Sequence, residues 1–185
     1  HRRLRRGLPE IVLGEGKTPR QLILIARRLT RAGESVLVTR LDPHIFNEIR
    51  HALPPIRYDP VARLAYESPP SRRRLRGFVP VVTGGTSDLP IAEEAAIILE
   101  VLGTRTARLY DVGVAGVHRL LAQWRLLRRS RAIIVIAGME GALASVVAGL
   151  VSCPGRQSGA HPSSPRRLSR LSQERVGSAP SRREG

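Results

Sequence analysis

The chain has 185 residues, of which 42% are hydrophobic and only 3% are aromatic, so its core has to be built from aliphatic side chains. Its net charge of +16 raises the question of nucleic acid, yet Lys17 is the single lysine among 31 basic residues. An arginine excess of this kind is typical of a GC-rich coding sequence, and the scarcity of aromatic side chains disfavours a single-strand binder.

No apolar run reaches the length of a membrane span, and the basic residues 1–6 are not followed by the apolar segment of a secretory signal. The single cysteine, Cys153, has no partner within the chain for a disulfide. We therefore expect a cytoplasmic protein without membrane contact.

Residues 1–68 predict a small α/β N-terminal domain. Residues 18–21 combine an N-cap threonine, an N1 proline and a capping-box glutamine, so a helix should begin there and stop at Gly33. Asp42 and Pro43 repeat the start signal for a second helix. The strands expected in this domain cover residues 10–13, 35–39 and 63–66.

A turn-rich, charged linker is predicted at residues 69–76, and a second domain at residues 77–154. Strand patterns at 78–82, 105–110 and 132–137 alternate with helical patterns at 89–102, 117–128 and 141–151. Such alternation favours a parallel sheet covered by helices on both sides.

Residues 155–185 are rich in Ser, Pro, Gly and Arg and carry few apolar side chains. A segment of this composition cannot bury enough surface to offset its ordering entropy, so we expect no regular structure there. One interpretation is a disordered basic tail. The interpretation we favour is an out-of-frame or spliced continuation that replaces the genuine C-terminus.

A glycine turn follows the first strand of the second domain. Gly84 and Gly85 would let a phosphate approach the main chain at the start of a helix. The hydroxyls of Thr86 and Ser87 would add donors. Asp88 would either cap the helix or accept a hydrogen bond from a ribose hydroxyl. The competing interpretation is an ordinary strand-to-helix turn.

A second group follows the next strand and consists of Asp111, His118 and Arg119. The guanidinium of Arg119 could hold a phosphate by a forked pair of hydrogen bonds, and His118 could exchange protons near neutral pH. A His-Arg pair at a helix start is also compatible with a solvated surface.

Several segments together resemble the carboxylase/hydrolase of nickel-pincer nucleotide biosynthesis, the LarB family, whose C-terminal half is similar to the purine-pathway carboxylase PurE. They are residues 8–12, 14–19, 38–40, 81–90, 111–119 and 137–142. The resemblance implies a three-layer αβα domain with a parallel, flavodoxin-like sheet, preceded by the small N-terminal domain. Because it stops at Pro154, we expect this PurE-like fold to be incomplete at its C-terminus.

The resemblance also implies a substrate and a pocket. The family is understood to carboxylate the pyridinium ring of nicotinic acid adenine dinucleotide with carbon dioxide and then to release AMP. The resemblance adds Gly138, Glu140 and Gly141 to the ligand-binding residues. It also makes His118 and Glu140 the candidates for catalysis. No metal site or tightly bound cofactor is expected, although Mg²⁺ could accompany a nucleotide substrate. Both related families form homo-oligomers.

The attacking thiolate of the family lies near its C-terminus, and Cys153 matches a different position. We therefore expect ligand binding without turnover. Two alternatives stay open. One is a carboxylase of aminoimidazole ribonucleotide, disfavoured because a histidine of the purine enzyme has no counterpart between Gly138 and Ser145. The other is a basic adaptor that binds RNA through its linker and tail.

Overall fold

The computed structural model describes residues 10–67, 77–138, 141–151 and 155–158, which form two sheets with helices packed on their faces. The strands are β1 (Ile11–Leu13), β2 (Leu37–Thr39), β3 (Arg57–Asp59), β4 (Leu64–Tyr66), β5 (Val81–Thr83), β6 (Arg108–Leu109), β7 (Ile133–Ile136) and β8 (Gly155–Ser158). The α-helices are α1 (Pro19–Arg31), α2 (Pro43–Ile49), α3 (Leu89–Val101), α4 (Val117–Ala122), α5 (Trp124–Arg128) and α6 (Ala142–Leu150). The linker predicted at 69–76 lies outside the described residues, as does most of the predicted tail.

The first sheet has the strand order β1-β2-β4-β3, and one of its faces is covered by α1 and α2. Helix α1 begins with the predicted capping box, in which the Thr18 hydroxyl accepts from the Gln21 amide while the Gln21 side chain accepts from the Thr18 amide. The Asp42 carboxylate caps α2 by accepting from the amide of His44 at 2.8 Å. Both predicted helix starts are therefore confirmed.

This sheet is mixed, which the sequence did not predict. Strands β1 and β2 are parallel, but β4 pairs antiparallel to both β2 and β3. The third strand, Arg57–Asp59, escaped prediction because it lies at the edge and none of its side chains is buried. An edge strand of this kind gives no apolar alternation to recognise.

The second sheet has the order β6-β5-β7-β8, and all its pairs are parallel. Helix α3 covers one face through Ala92 and Ala96, which pack with Val81 and Ile136. The other face is covered by the helices that follow β6 and β7, whose Leu120, Leu127, Leu143 and Val147 share one cluster with Val82 and Val135. The predicted parallel sheet between two helical layers is confirmed.

The order of the strands creates a switch point. From β5 the chain passes to β6 on one side, and then crosses to β7 on the other side. The neighbouring strands β5 and β7 therefore lead in opposite directions, to β6 and to β8, and the connections that follow them diverge at the carboxyl edge of the sheet. Ligands of open α/β sheets bind at such a crevice.

Two elements differ from the prediction. The helix expected over 117–128 is interrupted at Gln123, whose backbone angles of φ −93° and ψ 6° separate α4 from α5. Residues 155–158, which we assigned to the tail without regular structure, instead form β8 beside β7. Main-chain groups along a free strand edge pair with any extended segment, whatever its side chains, so composition alone did not predict this strand.

Candidate functional site

Glycine-bearing loops from three neighbouring strands meet at the carboxyl edge of the second sheet. A Cβ atom built on Gly113, after β6, would lie 2.6 Å from the carbonyl oxygen of Gly84, after β5. A Cβ atom on Gly84 would lie 3.8 Å from the Cβ atom of Ala137, after β7. The loops also share hydrogen bonds, since the Val112 amide donates to the Thr83 carbonyl at 3.0 Å. The three loops therefore converge at one edge of the sheet.

Gly84 holds the three loops together. Its amide donates to the Ile136 carbonyl at 3.3 Å, so it extends the pairing of β5 with β7. The space where its side chain would stand faces Ala137, Leu143 and Gly113. Gly84 therefore lets the loops approach one another, and its N–H group is already engaged.

The next three residues expose the main-chain donors that an anion requires. Thr86–Asp88 form a single 3-10 turn that leads directly into α3, with extended Gly85 before it. Among the described residues, the amides of Gly85, Thr86 and Ser87 have no hydrogen-bond acceptor. Consecutive free N–H groups at a helix start attract phosphates and carboxylates.

Asp88 does not cap the helix, contrary to one of the two roles predicted for it. Its backbone is helical, and its side chain accepts no hydrogen bond at the helix start. Only 5% of Asp88 is exposed, and its carboxylate has no hydrogen-bond partner within the described part of the chain. Among the described residues, the Tyr110 hydroxyl is the single fully buried side-chain atom without a hydrogen-bond partner, so the Asp88 oxygens reach the surface. The Asp88 carboxylate is therefore a free acceptor, suited to a donor such as a ligand hydroxyl.

Asp111 and Arg119 form an ion pair beside this turn. The Arg119 Nη1 atom lies 2.7 Å from Asp111 Oδ2, and the two side chains are 48% and 56% exposed. The guanidinium lies over Gly116, where a Cβ atom would stand 2.6 Å from Nη2. A solvated pair of this kind contributes little to stability, so Arg119 can exchange its partner for a phosphate.

The other four predicted residues differ in their surroundings. His118 lies beside Arg119 in the first turn of α4, and its side chain is exposed. Gly138 follows β7, and no described atom lies within 4 Å of its Cβ position. Gly141 is buried before α6 with a left-handed φ of 72°. Glu140 lies outside the described residues.

Sequence reasoning did not single out Gly113 or Gly116 as individual site residues. Neither has a positive φ, so no turn signature marks them. Gly113 is required because it lies against the Gly84 carbonyl, and Gly116 because it lies against the Arg119 guanidinium. The only sequence signal of these close approaches was the spacing of the glycines within residues 111–119.

The described residues contain no group of three or more His, Cys, Asp or Glu side chains placed to hold a metal ion. Within the same ranges, no helix has both the length and the apolar character needed to cross a membrane.

Comparison with known proteins bears on the N-terminal part of the chain. Residues 1–68 match the family described as "LarB/PurE-like N-terminal domain". The chain is also 37% identical over 162 residues to an uncharacterized protein of Methanocaldococcus jannaschii, a match that covers 83% of this chain and 63% of the relative. The chain thus spans less than two thirds of the curated relative it matches. Residues 1–68 are therefore similar to the LarB/PurE-like N-terminal domain.

Proposed function

We propose that the carboxyl edge of the second sheet binds a phosphate-bearing pyridine nucleotide, nicotinic acid adenine dinucleotide. The observation that carries this proposal is the run of three main-chain donors at Gly85, Thr86 and Ser87, with no acceptor of their own among the described residues. They open α3 at the point where three glycine-bearing loops meet. The LarB/PurE-like N-terminal domain supports the choice of this nucleotide over others.

The surrounding side chains suit the rest of such a ligand. Arg119 would leave Asp111 and take a phosphate oxygen in a forked contact. The Asp88 carboxylate would accept a hydrogen bond from a ribose hydroxyl. Exposed His118 would carry a proton between solvent and the ligand. Mg²⁺, where present, would arrive with the phosphates of the nucleotide.

Carboxylation of a pyridinium ring needs a nucleophile that first adds to the ring and makes its carbon electron-rich. Carbon dioxide then forms a bond to that carbon, and loss of a ring proton together with expulsion of the nucleophile restores aromaticity. A thiolate suits this role, and Cys153 is the single thiol in the sequence. We propose carboxylation and AMP release as activities of the whole family protein, and nucleotide binding as the part that the described residues support.

Thr86 allows a sharp test, because proline fits its position. It is the first residue of the turn, and Gly85 before it is extended at φ −144° and ψ 177°. Thr86→Pro removes one amide donor while the backbone is kept, and Thr86→Ala removes only the hydroxyl. We expect the proline variant to bind the dinucleotide roughly tenfold more weakly, as loss of a hydrogen bond to a charged group implies.

Isothermal titration calorimetry of both variants and of the unaltered chain measures this difference in affinity. Thermal unfolding checks that each variant is folded. Equal affinities of the proline and alanine variants would contradict the proposal. Titration with aminoimidazole ribonucleotide tests the alternative substrate. If the chain binds that ribonucleotide and not the dinucleotide, the site is that of a purine-type carboxylase.

A further inference from the structure

Helix α3 is shared by the two sheets. Its Ala92 and Ala96 pack on the second sheet with Val81 and Ile136. On its other side, Ile97 joins Leu37 and Leu64 of the first sheet in a separate buried cluster. These three residues and Ala62, the fourth buried member of the cluster, are at most 4% exposed. The helix is therefore held between the N-terminal domain and the sheet that carries the candidate site.

The same helix starts at the ligand turn. Asp88 is followed directly by Leu89, the first residue of α3, so any shift or tilt of α3 moves the donors at residues 85–87. The contacts with the first sheet lie in the second half of α3, at Ile97, Ile98 and Val101. A rigid helix transmits displacement along its length, because its hydrogen-bonded turns do not deform independently.

We propose that the N-terminal domain is a positioning element for the ligand turn, with α3 as the connecting element and Ile97 as the positioning residue. Ile97 is not assigned to ligand contact. The domain would set where the three amide donors stand, and therefore how well they meet a phosphate. The affinity part of this inference rests on the proposed function, whereas its structural part can be tested without ligand.

The apolar contact is tested with Ile97→Ala against a matched control, Leu22→Ala. Leu22 is 2% exposed in the cluster between α1 and the first sheet, and that cluster includes no residue of α3. We expect hydrogen exchange of the segment 84–94 to rise severalfold more in Ile97→Ala than in Leu22→Ala. Thermal unfolding shows whether the two variants are comparably destabilised. If Ile97→Ala does not fold, Ile97→Val makes the same comparison.

Dinucleotide affinity should also fall severalfold more in Ile97→Ala than in Leu22→Ala. Equal exchange of residues 84–94 in Ile97→Ala and Leu22→Ala would overturn the inference.

The two proposals fail in different ways. If the unaltered chain binds no dinucleotide, the proposed function is wrong, while the exchange comparison still decides whether the N-terminal domain positions the turn. If the chain binds but Ile97→Ala alters exchange and affinity no more than Leu22→Ala does, the site stands and the positioning role is lost.

Discussion

Gly113 and Gly84 stand so close at the carboxyl edge of the second sheet that a Cβ atom on Gly113 would lie 2.6 Å from the Gly84 carbonyl oxygen and 3.4 Å from its Cα atom. The obstacle is backbone, which cannot rotate away as a side chain would. This contact fixes how near the loops after β5 and β6 can approach, and so it shapes the candidate site.

Alanine at position 113 should therefore separate the two loops. We expect Gly113→Ala to lower the free energy of unfolding by about 1–3 kcal/mol, the usual range for forced overpacking, and to weaken nucleotide binding. Gly84→Ala is the matched control, because its new methyl group would meet neighbours only at 3.8 Å or beyond. Urea unfolding of the two variants measures the difference, and equal stabilities would contradict the close contact.

Substitution of Gly138 tests ligand contact without disturbing the stability of the fold. No described atom lies within 4 Å of its Cβ position, and the same is true of Gly149 near the end of α6. Alanine should fit both sites, and Gly149→Ala should stabilise its helix by up to about 1 kcal/mol. We expect only Gly138→Ala to weaken dinucleotide binding, as measured by titration. Unchanged affinity in Gly138→Ala would place the ligand away from the loop after β7.

Arg119 should matter for binding more than for folding. Its ion pair with Asp111 is about half exposed, so Arg119→Ala should change the free energy of unfolding by no more than about 1 kcal/mol. Loss of a forked phosphate contact should weaken nucleotide affinity roughly tenfold or more. Exposed Arg125 on α5 provides a control that removes the same charge elsewhere. If both variants lose affinity to a similar extent, the effect comes from the overall charge of the protein and not from a contact between Arg119 and phosphate.

Asp111→Asn probes the same pair from the other side. Without the carboxylate, Arg119 no longer has to leave a partner before it meets a phosphate, so affinity should stay equal or rise. A fall in affinity would show that Asp111 itself contacts the ligand. The same titrations measure this variant.

Glu94 predicts a pH dependence of stability. Burial raises the pKa of its carboxyl above the ordinary value of 4.5, and the charge of Arg40 opposes this only in part. The folded state therefore keeps a proton that the unfolded state has already lost. The free energy of unfolding should fall as the pH rises from about 4.5 through the raised pKa of the folded state.

Glu94→Gln removes this titration, because its side chain is neutral at every pH. Its gain in melting temperature over the unaltered chain should be absent below pH 4.5 and complete above the raised pKa. Glu48→Gln, at an exposed position on α2, is the control. Parallel stability curves from pH 4 to 8 for the unaltered chain and Glu94→Gln would show that Glu94 is not desolvated in the fold.

The starts of the first two helices were determined by the sequence alone. The capping box at Thr18 and Gln21 and the cap at Asp42 satisfy amides of their own first turn, so the signal and its target lie within three residues. The parallel arrangement of the second sheet followed from the regular alternation of apolar strand and helix patterns. The glycine-bearing loops were likewise visible as breaks in those patterns.

Tertiary structure decided which of those loop residues pair with one another and which keep free amides. Nothing local distinguishes Gly84, whose amide pairs with Ile136, from Gly85, whose amide is free among the described residues. The edge strand β8 depends on β7, more than 15 residues earlier in the chain. The double role of α3 arises because Ile97 meets Leu37 and Leu64, more than 30 residues earlier. Contacts across such separations depend on how the elements pack, which no local pattern encodes.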